Sequence, residues 1–201
     1  MQSIPKLEFG KLYHIYNRGN NRENLFLEKR NYAYFLKLYV KYISIIAKTF
    51  AYCLMPNHFH LLVRIREERE IIQKVEHSEQ KNYDVTQQFS NFFNSYARSM
   101  NNTYGRSGAL FKRPFGRKLI TSDEYLLQLV WYIHFNPQKH RFTRNFRKYE
   151  HSSYQAILSN VQTFVSRDEV LSWFDGRDSF AEFHDGIASE QSIQHLIEED
   201  S

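Results

Sequence analysis

The chain predicts an α+β domain, an antiparallel sheet assembled from two strand–helix–strand halves with helices on one face. Three observations carry this. Residues His58–Ile65, HFHLLVRI, alternate: as a strand they place Phe59, Leu61, Val63 and Ile65 on one side and His58, His60, Leu62 and Arg64 on the other. Two stretches, 31–47 and 85–103, have apolar residues at helical spacing: Tyr34, Phe35, Leu38, Tyr42 and Ile45 in the first, and Phe89, Phe92, Phe93, Tyr96, Ala97 and Met100 in the second. Strand-like runs flank both stretches in the order strand, helix, strand, strand, helix, strand.

Element by element, KLYHIYNR (Lys11–Arg18) is the first strand, closed by the turn-rich RGNNREN. The first helix follows. TFAYCL (Thr49–Leu54) is the second strand, and the tight connection MPN makes it a hairpin with His58–Ile65. The highly charged segment 66–84 reads as a mobile connection or short helix. Thr86 is placed as N-cap of the second helix. Two glycine-containing turns lead to a fourth strand near Arg117–Ile120. Thr121 or Ser122 then caps a helix Asp123–Phe135, which Asn136-Pro137 terminates. The order is that of a ferredoxin-like split βαβ unit, whose second face is left open and carries His58 and His60. Residues 1–158 form one domain, and 159–201 an acidic, helical C-terminal appendage.

Composition narrows the function classes. The chain has 201 residues, 42% of them hydrophobic, and no run approaches the ~18 apolar residues of a membrane span. The N-terminal residues lack the pattern of a secretory signal. A single cysteine, Cys53, excludes an intramolecular disulfide and a cysteine-based zinc cluster and reads as core. The expected compartment is the cytoplasm. Charge is uneven: from Arg98 to Lys148 eleven basic residues face two acids, whereas from Tyr149 onward two arginines face eleven acids. Aromatic residues interleave with the basic stretch, a pattern suited to a polyanion whose bases can stack.

Two imidazoles side by side at the mouth of a strand are a candidate metal pair, and five sequence blocks extend the pattern. YHIYNRGNN, AYCLMPNHFHLLV, FNSYARSMNNTYGRSGALF, RPFGRKLI and YIHFNPQKH fall in an order that resembles the single-tyrosine HUH transposase superfamily. The likeness is greatest to the REP-associated tyrosine transposases and their insertion-sequence relatives, from about Leu12 to about Ser153. The resemblance implies metal-dependent cleavage and joining of single-stranded DNA through a 5′-phosphotyrosine and a free 3′-hydroxyl. It implies a divalent cation, Mg2+ or Mn2+, on His58 and His60, and it assigns the nucleophile to Tyr96 in FNSYARS. Relatives often add a polar third ligand one helical turn after the tyrosine. Here Met100 stands there, which leaves Asn101 as the candidate. A tyrosine hydroxyl titrates near ~10, so a cation that stabilises the phenolate and the developing phosphate charge is chemically apt.

The expected DNA contacts are Asn17, Arg18 and Arg22 around Gly19, and Arg98, Arg106, Lys112, Arg113 and Arg117 in the basic stretch, mainly to phosphates. His14 can face the open side with Tyr16 and Arg18, or be structural. His134 and Asn136 read as a helix-end structure. The partner is single-stranded or hairpin DNA, with a homodimer left open. A reading from another class is a DNA-binding protein of the same fold, catalytically weak and acting at palindromic repeats; Met100 favours it.

Overall fold

A computed structural model of the chain describes residues 5–76 and 84–186. It has the α+β class expected: a four-stranded antiparallel sheet of order β2-β3-β1-β4, with β1 at Leu12–Arg18, β2 at Ala47–Met55, β3 at His58–Ile65 and β4 at Gly116–Leu119. The longer helices are α1 (Lys29–Ile43), α3 (Val85–Tyr104) and α4 (Asp123–Lys139). The shorter are α2 (Glu68–Glu76), α5 (Tyr154–Leu158), α6 (Arg167–Ser172) and α7 (Arg177–Gly186). Part of the charged connection, 77–83, and the end of the acidic segment, 187–201, lie outside the described residues.

Several boundaries differ from the sequence reading, each for a local reason. α1 starts at Lys29 because Glu28 and Asn31 form a capping box. It stops at Ile43, which releases Ala47 to pair with Ile65 in the sheet. The cap of α3 is Asp84, whose carboxylate accepts the Gln87 N–H at 2.6 Å, and not Thr86. Gly105 closes α3 at φ +62°, a conformation that costs glycine little. Most consequential, α4 does not end at Phe135 but continues through Pro137 to Lys139. Proline removes the backbone donor that would serve the Ile133 carbonyl, yet the helix runs on: the His140 N–H reaches the Asn136 carbonyl at 2.9 Å, and the Asn136 side chain donates to the Tyr132 carbonyl at 3.0 Å.

The two faces of the sheet are covered differently. α1 and α3 pack on the Phe59 face, where the Phe35 ring lies 5.2 Å from Phe59 and 4.8 Å from Phe92. The His60 face is not bare. Leu126 and the run from Leu129 to His134 are all buried, so α4 is apolar around most of its circumference and must be covered on more than one side. It meets that demand by lying across β2 and β3, and His60 and Leu62 are buried.

The chain after α4 builds onto the edge of β2. Val165 forms a parallel bridge to Thr49, Ser152 an antiparallel one to Cys53, and the Ser166 N–H donates to the Thr49 carbonyl at 2.8 Å. A bulge between Thr49 and Ala51 interrupts the ladder at Phe50, whose ring meets Trp173 at 4.8 Å. Glu169 accepts both arms of the Arg64 guanidinium, at 2.5 and 3.1 Å. Among the described residues no helix is long and apolar enough to cross a membrane.

A buried hydrogen-bond chain ties α7 to α4, and its direction can be deduced. His184 Nδ1 lies 2.8 Å from the Phe180 carbonyl, which can only accept, so Nδ1 carries the proton. The neutral ring then accepts at Nε2 from His134 Nδ1–H at 2.9 Å. His134 Nε2 in turn accepts from the Ser153 hydroxyl at 2.8 Å, and that oxygen accepts the Tyr52 N–H at 2.9 Å.

Burial pushes His184 down to about 4 and His134 well below the ordinary histidine range, while both titrate near 6.5 once unfolded. The folded chain therefore resists protons that the unfolded chain takes up. Stability is full above pH ~6.5 and falls as the pH drops toward 4, by about 3 kcal/mol for His184 alone. Urea unfolding at a series of pH values should show this slope, and His184→Phe should reduce it. An equal slope in the variant would mean that other groups carry the acid sensitivity.

Candidate active site

Antiparallel pairing sets residues directly opposite each other on the same face. Arg18 lies opposite His58, Tyr16 opposite His60 and His14 opposite Leu62, so β1 contributes His14, Tyr16 and Arg18 to the histidine face. On its other side Tyr16 pairs with Gly116 and His14 with Lys118. Gly116 has a steric reason to be glycine, because a Cβ there would run into the Tyr16 ring.

Each histidine of the pair is held through Nδ1. His58 Nδ1 is 2.7 Å from Asn57 Oδ1, and His60 Nδ1 is 2.9 Å from His14 Nε2. The two rings stand perpendicular with centroids 5.4 Å apart. His60 is 1% exposed, and its Nε2 is buried with no hydrogen-bond partner. Burial, with contributions from His58, His140 and Lys139, holds His60 well below the usual imidazole range. It is neutral at pH 7, the form that ligates a cation.

The fourth helix brings the remaining groups. Tyr132 presents its ring edge-on to His60 at 5.7 Å and to His14 at 6.5 Å. Asn136 follows one turn later on the same side of the helix; its Oδ1 is buried without a partner. Lys139 lies over the Tyr132 ring, 5.0 Å from its centroid, and the His140 ring is 4.8 Å from that of His58. Among the described residues no group of three His, Cys, Asp or Glu is set to hold a metal ion. Two buried polar atoms of these residues, His60 Nε2 and Asn136 Oδ1, have no hydrogen-bond partner.

The other sequence-predicted residues sit elsewhere. Tyr96 is wholly buried on the opposite side of the sheet. Its ring packs 5.0 Å from Phe35 and its hydroxyl donates to the Leu25 carbonyl at 2.7 Å; burial raises its pKa. Asn101, also on α3, uses its amide to hold the Gly108 carbonyl at 3.0 Å. Neither lies on the histidine face of the sheet. Asn17 is buried opposite Phe59 and accepts the Arg18 N–H at 2.8 Å, a structural role. Arg117 points to the Ile15 side, 5.0 Å over the Phe115 ring, so the cation of β4 on the histidine face is its neighbour Lys118. Arg106 pairs with Glu23. Arg98 and Arg113 are exposed, Arg113 being 3.4 Å from Asn94. Arg22 is exposed in the turn after β1, and the Lys112 N–H bonds the Arg18 carbonyl at 2.9 Å. Arg18 and Lys112 thus lie at the His58 end of the sheet.

Sequence reasoning placed Asn136 in a helix-end structure and did not set Tyr132 beside the histidines, where the structure has its ring. The signal was the spacing Tyr-x-x-x-Asn inside YIHFNP, one helical turn, and it was hidden by the expectation that Pro137 ends the helix.

No family model matches this chain, and no curated protein matches it. Among solved structures, that of a REP-associated tyrosine transposase bound to a REP hairpin superposes with a TM-score of 0.59 at 13% identity, over 82% of this chain and 89% of that one. The two proteins share a fold.

Tyr96→Phe deletes a buried donor and leaves the Leu25 carbonyl without it. It should cost about 1 kcal/mol in chemical denaturation. No loss of stability would argue against a structural role for that hydroxyl.

Proposed function

We propose that the protein cleaves and rejoins single-stranded DNA at a hairpin, in the manner of a single-tyrosine transposase, with Tyr132 as nucleophile. The observation that carries this is Tyr132 set edge-on to His60, with two buried polar atoms that lack a hydrogen-bond partner, His60 Nε2 and Asn136 Oδ1, on the residues beside it. The fold shared with a hairpin-bound transposase supports it.

His58, His60 and Asn136 would hold a divalent cation. Two imidazoles with one amide oxygen favour Mn2+ over Mg2+. Such an ion supplies charge stabilisation to the scissile phosphate and lowers the cost of forming the phenolate. The chain's own groups do the rest. Tyr132 Oη attacks phosphorus, its bond to phosphorus forms as the P–O3′ bond breaks, and the departing 3′ oxygen takes up a proton while the phenol loses one. Lys139, over the Tyr132 ring, favours the phenolate. Tyr16, Arg18 and His58 are partly exposed at one end of this face, and the strand would enter there, where Arg18 and Lys112 would meet its phosphates. Because the phosphotyrosine keeps the bond energy, the reverse step joins strands without a nucleotide cofactor.

Incubation with Mn2+ and labelled hairpin DNA should give a denaturation-resistant protein–DNA adduct. Tyr132→Phe should abolish it, and Tyr96→Phe should keep it. An adduct that survives Tyr132→Phe and maps to another tyrosine would remove Tyr132 from the role. His60→Ala and Asn136→Ala should each weaken Mn2+ binding and adduct formation at least tenfold.

A second reading, DNA binding at palindromic repeats without turnover, is favoured by the complete burial of Tyr132. Hairpin binding with no adduct under any metal would select it. In either reading Arg18→Ala should weaken binding to hairpins of any sequence and reduce the salt slope by about 0.7. An unchanged slope would place the DNA path elsewhere.

A further inference from the structure

The proposed function leaves one buried residue of the histidine face without a task. His14 is 4% exposed, and its Nε2 lies 2.9 Å from Nδ1 of His60, across the β1–β3 ladder. The two rings are nearly parallel, 24° apart, with centroids at 5.1 Å, and Tyr16 packs on the outer side of His14 at 4.9 Å. One proton lies between these two nitrogens, and its position decides what His60 offers at Nε2. If His14 Nε2 donates, His60 Nδ1 is the acceptor, and the His60 proton sits on Nε2, a buried N–H with nothing to receive it. If His60 Nδ1 donates, Nε2 presents a lone pair at the same buried spot. Only the second arrangement can bind a cation.

We infer that His14 is a positioning residue that accepts the Nδ1 proton of His60 and so commits His60 Nε2 to a metal ion. The inference rests on the reading above that His60 is a ligand. Each ring carries one proton: His14 holds its own on Nδ1 and presents the Nε2 lone pair to His60. Asn57 Oδ1, 2.7 Å from His58 Nδ1, plays the same part for the other ligand. The two ligands are therefore oriented by unlike groups, a half-buried turn amide for His58 and a buried imidazole on the neighbouring strand for His60. The buried one also fixes the plane of the ring it holds, because β1 and β3 are rigidly paired on either side.

Two measurements test this. Long-range 1H–15N spectra of the histidine rings in the zinc-loaded wild-type chain should show His60 protonated at Nδ1 and His14 protonated at Nδ1 with a bare Nε2. Mn2+ titrations followed by electron paramagnetic resonance should show binding about ten- to a hundred-fold weaker in His14→Phe. His14→Gln, whose amide can still accept, should stay within a few-fold of wild type. His60→Ala is the control for the underlying site. If His60→Ala loses Mn2+ while His14→Phe binds like wild type, the role of His14 is refuted and the site stands. If His60→Ala itself binds like wild type, the site is refuted. Should His14→Phe fail to fold, the wild-type spectrum still decides, since a loaded His60 protonated at Nε2 overturns the proposal.

Discussion

An imidazole inside a protein has two nitrogens to satisfy, and His60 satisfies one within the chain. Burying it at the centre of a sheet carries a desolvation cost that holds it neutral. The structure around it follows from managing that cost. β1 sets His14 beside Nδ1, α4 lies over the face to exclude water, and two buried polar atoms without partners, His60 Nε2 and Asn136 Oδ1, belong to residues in contact with the same tyrosine. A core built only for stability would fill this place with a residue like Leu62, two positions along the same strand. The retention of a polar cluster under an apolar helix is a local conflict of the kind that marks functional sites.

How much of this was legible follows from which signals are periodic. β3 was readable to the residue because strict alternation and a tight preceding turn fix both ends and both faces. Parity left His14, Tyr16 and Arg18 as candidates for the same face, with a structural role for His14 also open, and the register sets all three there. Helical spacing in α3 correctly marked a buried stripe, but periodicity says which side of a helix is apolar and not which face of a sheet it covers. Tyr96 and Tyr132 are both buried tyrosines on long helices, and only packing separates them. α4 was harder still. Its apolar residues run almost uninterrupted and so define no side, and Pro137 argued for a break that the helix does not make.

Charge was legible in quantity and less so in placement. The excess of cations between Arg98 and Lys148 is real, but strand parity divides it. Lys118 joins the histidine face while Arg117 turns to Phe115, and Arg106 is paired with Glu23. The cations around the proposed chemistry come from separate elements: Arg18 at the end of β1, Lys112 in the connection after α3, Lys118 on β4 and Lys139 near the end of α4. No single stretch of sequence could display that grouping.

The one-way chain from the Tyr52 amide through Ser153, His134 and His184 to the Phe180 carbonyl has a consequence for how the protein can be divided. His134 sits on the same helix as Tyr132, two residues along, and its Nδ1 proton is received by a side chain of α7. A chain cut before Arg177 would leave that proton facing an apolar interior, and the tyrosine helix would have to re-orient or admit water. The C-terminal segment carries no recognisable motif, yet it completes the support of α4 from behind. A minimal fragment bounded by the motif-bearing blocks would retain every proposed reactive group and lose part of what holds the central one in register.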